Sequence, residues 1–281
     1  MRTHIECFPC FLRQTIIALD QVKGDSTLRE DIVREVLSIM QSADLSKPPA
    51  YTTTFIHRLI RNRLGLDPFE KVKDVYNRLA LGLYDGLKEE TRSSADPLWT
   101  AVRLAISGNV IDFGIFTSID IEKSIRRSLE SEIGVDDYEA FRDSVSKAGE
   151  VLYLLDNAGE IVFDRLLIEE LGALGKKVTA VVKASPVLND VTAADAQQTG
   201  LTDICRVIDN GSDGIGTILE WTSKKFQQQY REAELVISKG QGNFETLIAD
   251  AKKTYFLFQS KCDVVSKELG LSPGSMLLKK C

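Results

Sequence analysis

Residues 151–160 read Val-Leu-Tyr-Leu-Leu-Asp-Asn-Ala-Gly-Glu, and the segment 160–174 behind them has helical character. A short, nearly all-apolar run that halts on Asp, Asn and Gly suits a strand buried on both faces. The unit then repeats. Apolar runs at Val178–Lys183, Ile204–Ile208, Leu235–Ser238 and Thr254–Gln259 also end in polar or glycine residues, with helical stretches at 190–199, 214–230 and 243–252 between them. Strand, loop and helix in regular alternation predict an α/β/α sandwich over residues 149–281, with a mainly parallel, Rossmann-like sheet.

Upstream the pattern is helical. In 11–20 and 28–40 apolar residues recur at helical spacing, with Leu28, Ile32, Val36 and Met40 on one face. Lys47-Pro48-Pro49 breaks the chain, and further helices are expected at 53–64, 68–87 and 97–106, with Pro68 and Pro97 near their starts. Residues 1–106 therefore read as a helical N-terminal domain, and 107–148 as a helical bridge that contributes to the site.

Composition narrows the function. The chain has 281 residues, a formal net charge of −6, 43% hydrophobic and 27% charged residues. That acidity argues against sequence-independent nucleic-acid binding. No apolar run approaches the roughly 18 residues of a membrane span. His4, Glu6 and Arg13 interrupt the opening segment, which leaves no signal-peptide core. Five cysteines, at 7, 10, 205, 262 and 281, form no disulfide framework; reduced thiols and a cytoplasmic location are expected.

In an open parallel sheet, ligands bind at the carboxyl ends of the strands. Those ends carry Asp156-Asn157-Ala158-Gly159-Glu160, then Lys183 with Asn189-Asp190, then Asp209-Asn210-Gly211-Ser212, then Lys239-Gly240-Gln241-Gly242-Asn243. Asp156, Asn157 and Asp190 offer hard oxygen ligands of the kind that suit Mg²⁺ or Mn²⁺. Asp and Asn also make turns and cap helices, the plainer reading for either residue alone. Lys183 and Lys239 end strands, where an ammonium can offset phosphate charge. Gly240-x-Gly242 lets backbone amides approach an anion, and the glycine-rich stretch 211–217 is expected to open a phosphate-favouring helix. No dinucleotide fingerprint and no P-loop occurs. Cys7-x-x-Cys10 lacks a second close pair for a structural zinc and reads first as small buried thiols. With two histidines in the chain, His4 and His57, a histidine-based triad is not expected.

Taken together, Asp156-Asn157-Ala158-Gly159-Glu160, Asn189-Asp190-Val191-Thr192 and Lys239-Gly240-Gln241-Gly242-Asn243 resemble the metal-dependent damage-control phosphatases, formerly a domain of unknown function. Cys7-x-x-Cys10 and Gly108-Asn109-x-x-Asp112 look like features of the short prokaryotic branch of that family. The resemblance implies a divalent cation (Mn²⁺, Mg²⁺, Co²⁺ or Ni²⁺) held by Asp156, Asn157 and Asp190. It implies Lys239 beside the phosphate, and Asn109 and Asp112 closing the pocket from the helical part. Asp156, Glu160 and Lys239 are the expected catalytic residues, with Glu160 as acid, base or nucleophile. Eukaryotic members carry a Glu one residue later, where this chain has Ile161. Lys183, Asn189, Gly240, Gly242 and Asn243 complete the expected substrate contacts. The expected activity is hydrolysis of small phosphorylated metabolites, such as sugar phosphates or damaged phospho-metabolites. The rivals are an S-adenosylmethionine-dependent methyltransferase and a non-catalytic metal- or metabolite-binding protein.

Overall fold

A computed structural model describes residues 1–22, 25–110, 125–126 and 128–281, Val110 by its backbone alone. Helices α1 (Cys7–Asp20), α2 (Ser26–Gln41), α3 (Pro49–Leu64), α4 (Glu70–Leu81), α5 (Tyr84–Ser93) and α6 (Pro97–Val110) come first. Pro49 and Pro97 each open a helix, where the missing N–H costs nothing. The single helix expected over 68–87 is two helices, parted at Gly82-Leu83, because glycine is a poor helix former.

Next come β1 (Ile133–Asp136), α7 (Tyr138–Lys147), β2 (Glu150–Leu154), α8 (Glu160–Ala173), β3 (Lys177–Val182), α9 (Ala193–Gln198) and β4 (Arg206–Asp209). The chain ends with α10 (Lys224–Glu232), β5 (Leu235–Lys239), α11 (Gln241–Leu247), β6 (Thr254–Gln259), α12 (Asp263–Leu269) and β7 (Met276–Lys280). The sheet order is β1-β7-β6-β5-β2-β3-β4. Neighbours pair in parallel except β6 with β7. The mainly parallel α/β sheet is thus present, widened by two strands, β1 and β7, that the sequence reading did not anticipate. The helix expected over 214–230 starts only at Lys224.

Strand alternation explains the layers. Val151, Tyr153, Ala180, Ile237 and Leu257 face one side and pack with Ala101, Ala105, Phe163 and Leu167 of α6 and α8. Leu152, Leu154, Val236, Phe256 and Phe258 face the other, against Phe226, Tyr230, Phe244 and Val265 of α10–α12. A parallel sheet has to be covered on both faces, since its strands are apolar on both. Helices α1–α3 enclose a smaller core around Phe11, Leu19, Ile32, Val36, Ile56 and Ile60. Buried residues of α4–α6, by contrast, join the cluster on the sheet.

The topology decides where a ligand can sit. From β2 the chain steps outward through β3 to β4, then returns to lay β5 on the opposite side of β2. Loops leaving β2 and β5 therefore diverge and open a crevice between them.

Candidate active site

The crevice is a cavity of about 520 Å³. Its floor comes from the sheet side through Asn157, Ala158, Glu160, Asn189, Gln259, Ser260 and Lys261, its walls from Ile17, Gln21, Phe69, Val72, Tyr76, Gly108 and Asn109 of the helical part. Two rim loops are zipped together by backbone hydrogen bonds. Val191 N–H donates to Asp156 O at 2.9 Å and Ala158 N–H to Asn189 O at 2.8 Å, and Asn157 and Asp190 form an antiparallel bridge. This pairing brings the Asp156-Asn157 and Asp190 segments side by side although 32 residues of sequence lie between them. Buried Asn77 of α4 fastens the junction, accepting from Gly159 N–H at 2.8 Å and donating to Asp195 Oδ1 at 3.0 Å.

Gly240 follows β5 directly, beneath Asp156. Its φ is +83°, and a Cβ there would stand 1.9 Å from Asp156 Oδ2. The carboxylate occupies the space that a side chain would fill, which is why the residue is glycine.

The acidic groups are crowded. Asp156 Oδ2 accepts from Asn157 Nδ2 at 2.6 Å and Asn109 Nδ2 at 3.3 Å. Glu160 Oε2 accepts from Asn109 at 2.9 Å and Asn157 at 3.0 Å. Burial, with Glu160 and Asp190 nearby, pushes the Asp156 carboxyl well above the usual range. Asp190 is pushed up to about 6 by burial, against the pull of Lys183. Burial would raise Glu160 as well, but Lys239 and Asn109 outweigh it and hold this carboxyl below its ordinary value.

A divalent cation fits this donor set. Asp190 Oδ2 is buried and accepts no hydrogen bond; Lys183 Nζ lies 3.4 Å away. Two carboxylates and one amide oxygen, which Asn157 can present by turning its amide over, make an oxygen site for a hard metal that keeps waters for substrate to displace. Among the described residues no group of three His, Cys, Asp or Glu side chains is arranged to hold a metal. Cys7, Cys10 and Cys262 line a different cavity, with buried Glu245.

Comparison with known proteins follows the same lines. A family model described as the damage-control phosphatase ARMT1-like domain matches residues 3–277. The chain belongs to the ARMT1-like damage-control phosphatase family. It is 33% identical, over 97% of each chain, to a damage-control phosphatase of Archaeoglobus fulgidus, and 30% identical, over 99% of this chain and 97% of the other, to one of Pyrococcus horikoshii. An uncharacterised protein of Methanocaldococcus jannaschii is 34% identical, over 98% of this chain and 94% of the other. The crystal structure of a DUF89 family protein from Pyrococcus horikoshii superimposes with a TM-score of 0.93 at 30% identity, covering 100% of this chain and 99% of that one.

Within this damage-control phosphatase fold, the residues singled out from sequence fall into three groups. Asp156, Asn157, Glu160, Asp190 and Asn109 meet at the rim, with Asn189 in the cavity lining. Lys239, Lys183 and Asn243 are buried behind it and spend their donors on protein. Lys239 Nζ donates to Ala105 O at 2.7 Å, Glu160 Oε1 at 2.7 Å and Asp164 Oδ1 at 2.6 Å, which uses all three protons of an ammonium. Lys183 Nζ donates to Gly216 O. Asn243 braces the loops, donating to Lys239 O at 2.7 Å and accepting from Thr217 Oγ1 at 2.7 Å. Gly240 supports Asp156 from below, Gly242 borders the thiol-lined cavity, and Asp112 lies outside the described residues.

The glycine-rich stretch 211–217 opens no helix. The amides of Gly211, Ser212, Gly214, Ile215 and Thr217 are taken by Asp209, Asn210, Ser212, Thr54 and Thr246, which leaves no run of adjacent free amides to cradle a phosphate there. Sequence reading missed Lys261. It is exposed, lines the cavity just past the end of β6, and acts on the carboxyls of both Asp156 and Glu160 through its charge. The signal was present: β6 ends at Gln259, and the carboxyl-end rule that found Asp156 applies there equally.

Proposed function

We propose that this chain hydrolyses phosphate monoesters of small metabolites with the help of a divalent cation. The observation that carries the reading is the buried Asp190 Oδ2, which accepts no well-formed hydrogen bond and is ion-paired to Lys183, bridged to Asn157 and next to Asp156 behind the floor of the crevice. Asp156, Asn157 and Asp190 would hold the cation, Mn²⁺, Mg²⁺, Co²⁺ or Ni²⁺. When bound, such an ion supplies charge neutralisation at phosphoryl oxygens and a more acidic water.

The rest follows from the chain's own groups. Asn109 holds Glu160 Oε2 at the cavity floor and Lys239 holds Oε1, and the carboxylate is kept ionised, as a general base has to be at neutral pH. Glu160 takes a proton from the attacking water at that atom and returns one to the leaving oxygen. Lys261 pairs with the phosphate from the mouth of the cavity, the role that sequence reading gave to Lys239. Phe69, Val72, Tyr76 and Ile17 form an apolar wall against the part of the substrate that carries the phosphate. No observation favours the methyltransferase or the non-catalytic reading.

The test is release of inorganic phosphate from a panel of phosphomonoesters, with each of the four cations and with EDTA. Metal-dependent release that disappears in Asp190→Asn is the expected result. Absence of release with every metal and ester, or release indifferent to EDTA, would overturn the proposal.

A further inference from the structure

Glu160 and Asp164 lie one helical turn apart on α8, so both carboxylates leave the same side of the helix, and both are at most 1% exposed. Like charges at that spacing repel, and burial makes each more costly. Lys239 resolves the conflict by standing between them, 2.7 Å from Glu160 Oε1 and 2.6 Å from Asp164 Oδ1, with its third proton on Ala105 O of α6. Three acceptors from two helices fix that ammonium in three directions. Asp164 is fixed in turn, since Tyr153 of β2 donates to the same Oδ1 at 2.7 Å. Its other oxygen, Oδ2, is buried without a partner. A half-satisfied carboxylate with no exposure is a poor choice for packing alone. What it does accomplish is visible at Glu160: one oxygen is drawn back to Lys239, and the other is left for Asn109 and Asn157 at the cavity.

We propose that Asp164, which does not line the cavity, is a positioning residue for Glu160 and acts through Lys239. The inference rests on the role given to Glu160 in the proposed hydrolysis. Asp164 itself bonds to Tyr153 and Lys239 and to none of Asp156, Asn157 and Asp190. Without the Asp164 charge, Lys239 keeps only one of its two ion pairs and holds the Glu160 carboxylate less firmly in its orientation. Catalysis is sensitive to displacements of that kind: a 1 Å misplacement costs roughly 100-fold.

Two variants test this. Asp164→Asn keeps the size and an acceptor oxygen but removes the charge; Tyr153→Phe removes one hydrogen bond to Asp164 and leaves the charge. Thermal melts, Mn²⁺ titration, and kcat and KM for p-nitrophenyl phosphate are measured on each. The expected result for folded Asp164→Asn is a 10- to 100-fold lower kcat, with KM and Mn²⁺ affinity within threefold of wild type. For Tyr153→Phe a smaller fall, at least threefold, is expected. A crystal structure of metal-free Asp164→Asn should show Glu160 Oε2 withdrawn from Asn109. Folded Asp164→Asn with wild-type kcat would overturn the proposal; if that variant does not fold, wild-type kcat in Tyr153→Phe would do so. An inactive wild-type chain would refute the hydrolase reading instead. The position of Glu160 in a variant crystal would then decide the positioning role by itself, and an unmoved carboxylate would refute it.

Discussion

Gly240→Ala should disable the site while sparing the fold. The added Cβ would come within 1.9 Å of Asp156 Oδ2, where ordinary contacts are 3.4 Å or more, so the carboxylate has to retreat by over 1 Å. Backbone yielding is limited on both sides: Gly240 N–H donates to Leu257 O, and Gly240 O accepts from Phe244 N–H at the start of α11. Positive φ adds about 1–2 kcal/mol of strain for a side chain. A 1 Å misplacement at the chemistry is worth roughly 100-fold in rate, about 2.7 kcal/mol. The expected outcome is kcat/KM at least 100-fold lower and Mn²⁺ affinity at least 10-fold weaker by calorimetry. Gly65→Ala provides the control. Gly65 has φ +68° but nothing within 4 Å of its would-be Cβ, so that variant should lose about 1 kcal/mol of stability and no activity. Gly240→Ala with wild-type kinetics and metal binding would refute the placement of Asp156 in the reaction.

Asn109→Ala should lower kcat/KM by roughly 10- to 100-fold, about 1.4–2.8 kcal/mol, with little change in metal affinity, as steady-state kinetics and calorimetry will show. Lys261→Ala should lower kcat/KM by a similar factor, about 10- to 100-fold for one charge-assisted contact, while Lys239→Ala should lower the melting temperature as well. The helical part is clamped to the 211–217 stretch by Arg58 and Arg61 on Asp213. Against the upward push of burial, their hydrogen bonds hold the Asp213 carboxyl at about 2. Since the folded value lies below the unfolded one, this stabilisation is complete above about pH 4 and lost as pH falls through 2. Asp213→Asn should therefore destabilise by about 1–2 kcal/mol at pH 7, allowing for solvent screening, and by only about a few tenths of a kcal/mol at pH 2 in denaturant titrations.

The sequence revealed the inner sheet because β2, β3, β5 and β6 are short apolar runs with clear turn residues behind them. It hid β1 and β7. Ile133-Gly-Val-Asp has only two apolar residues, and Met276–Lys280 ends in two lysines, so each becomes a strand only through the partner beside it. The rim carboxylates were legible for the same reason as the strands: polar residues at a carboxyl end face the crevice. The lysines were not. Whether a strand-end ammonium points into the cavity or beneath it depends on register and on what lies underneath. Under Lys239 lie Glu160 and Asp164, one helical turn apart, a pairing that linear sequence does not display. Asn77 and the apolar wall from α4 were unreadable as site residues, since only the packing of α4 over the strand ends brings them there.

Anomalous diffraction from a crystal soaked in Mn²⁺ tests the central claim most directly. The expected result is one strong peak at the floor of the crevice, with Asp156, Asn157 and Asp190 as its protein ligands, absent from crystals of Asp190→Asn. A wild-type crystal with no peak there, or with its Mn²⁺ at the cavity of Cys7, Cys10 and Cys262 instead, would contradict it.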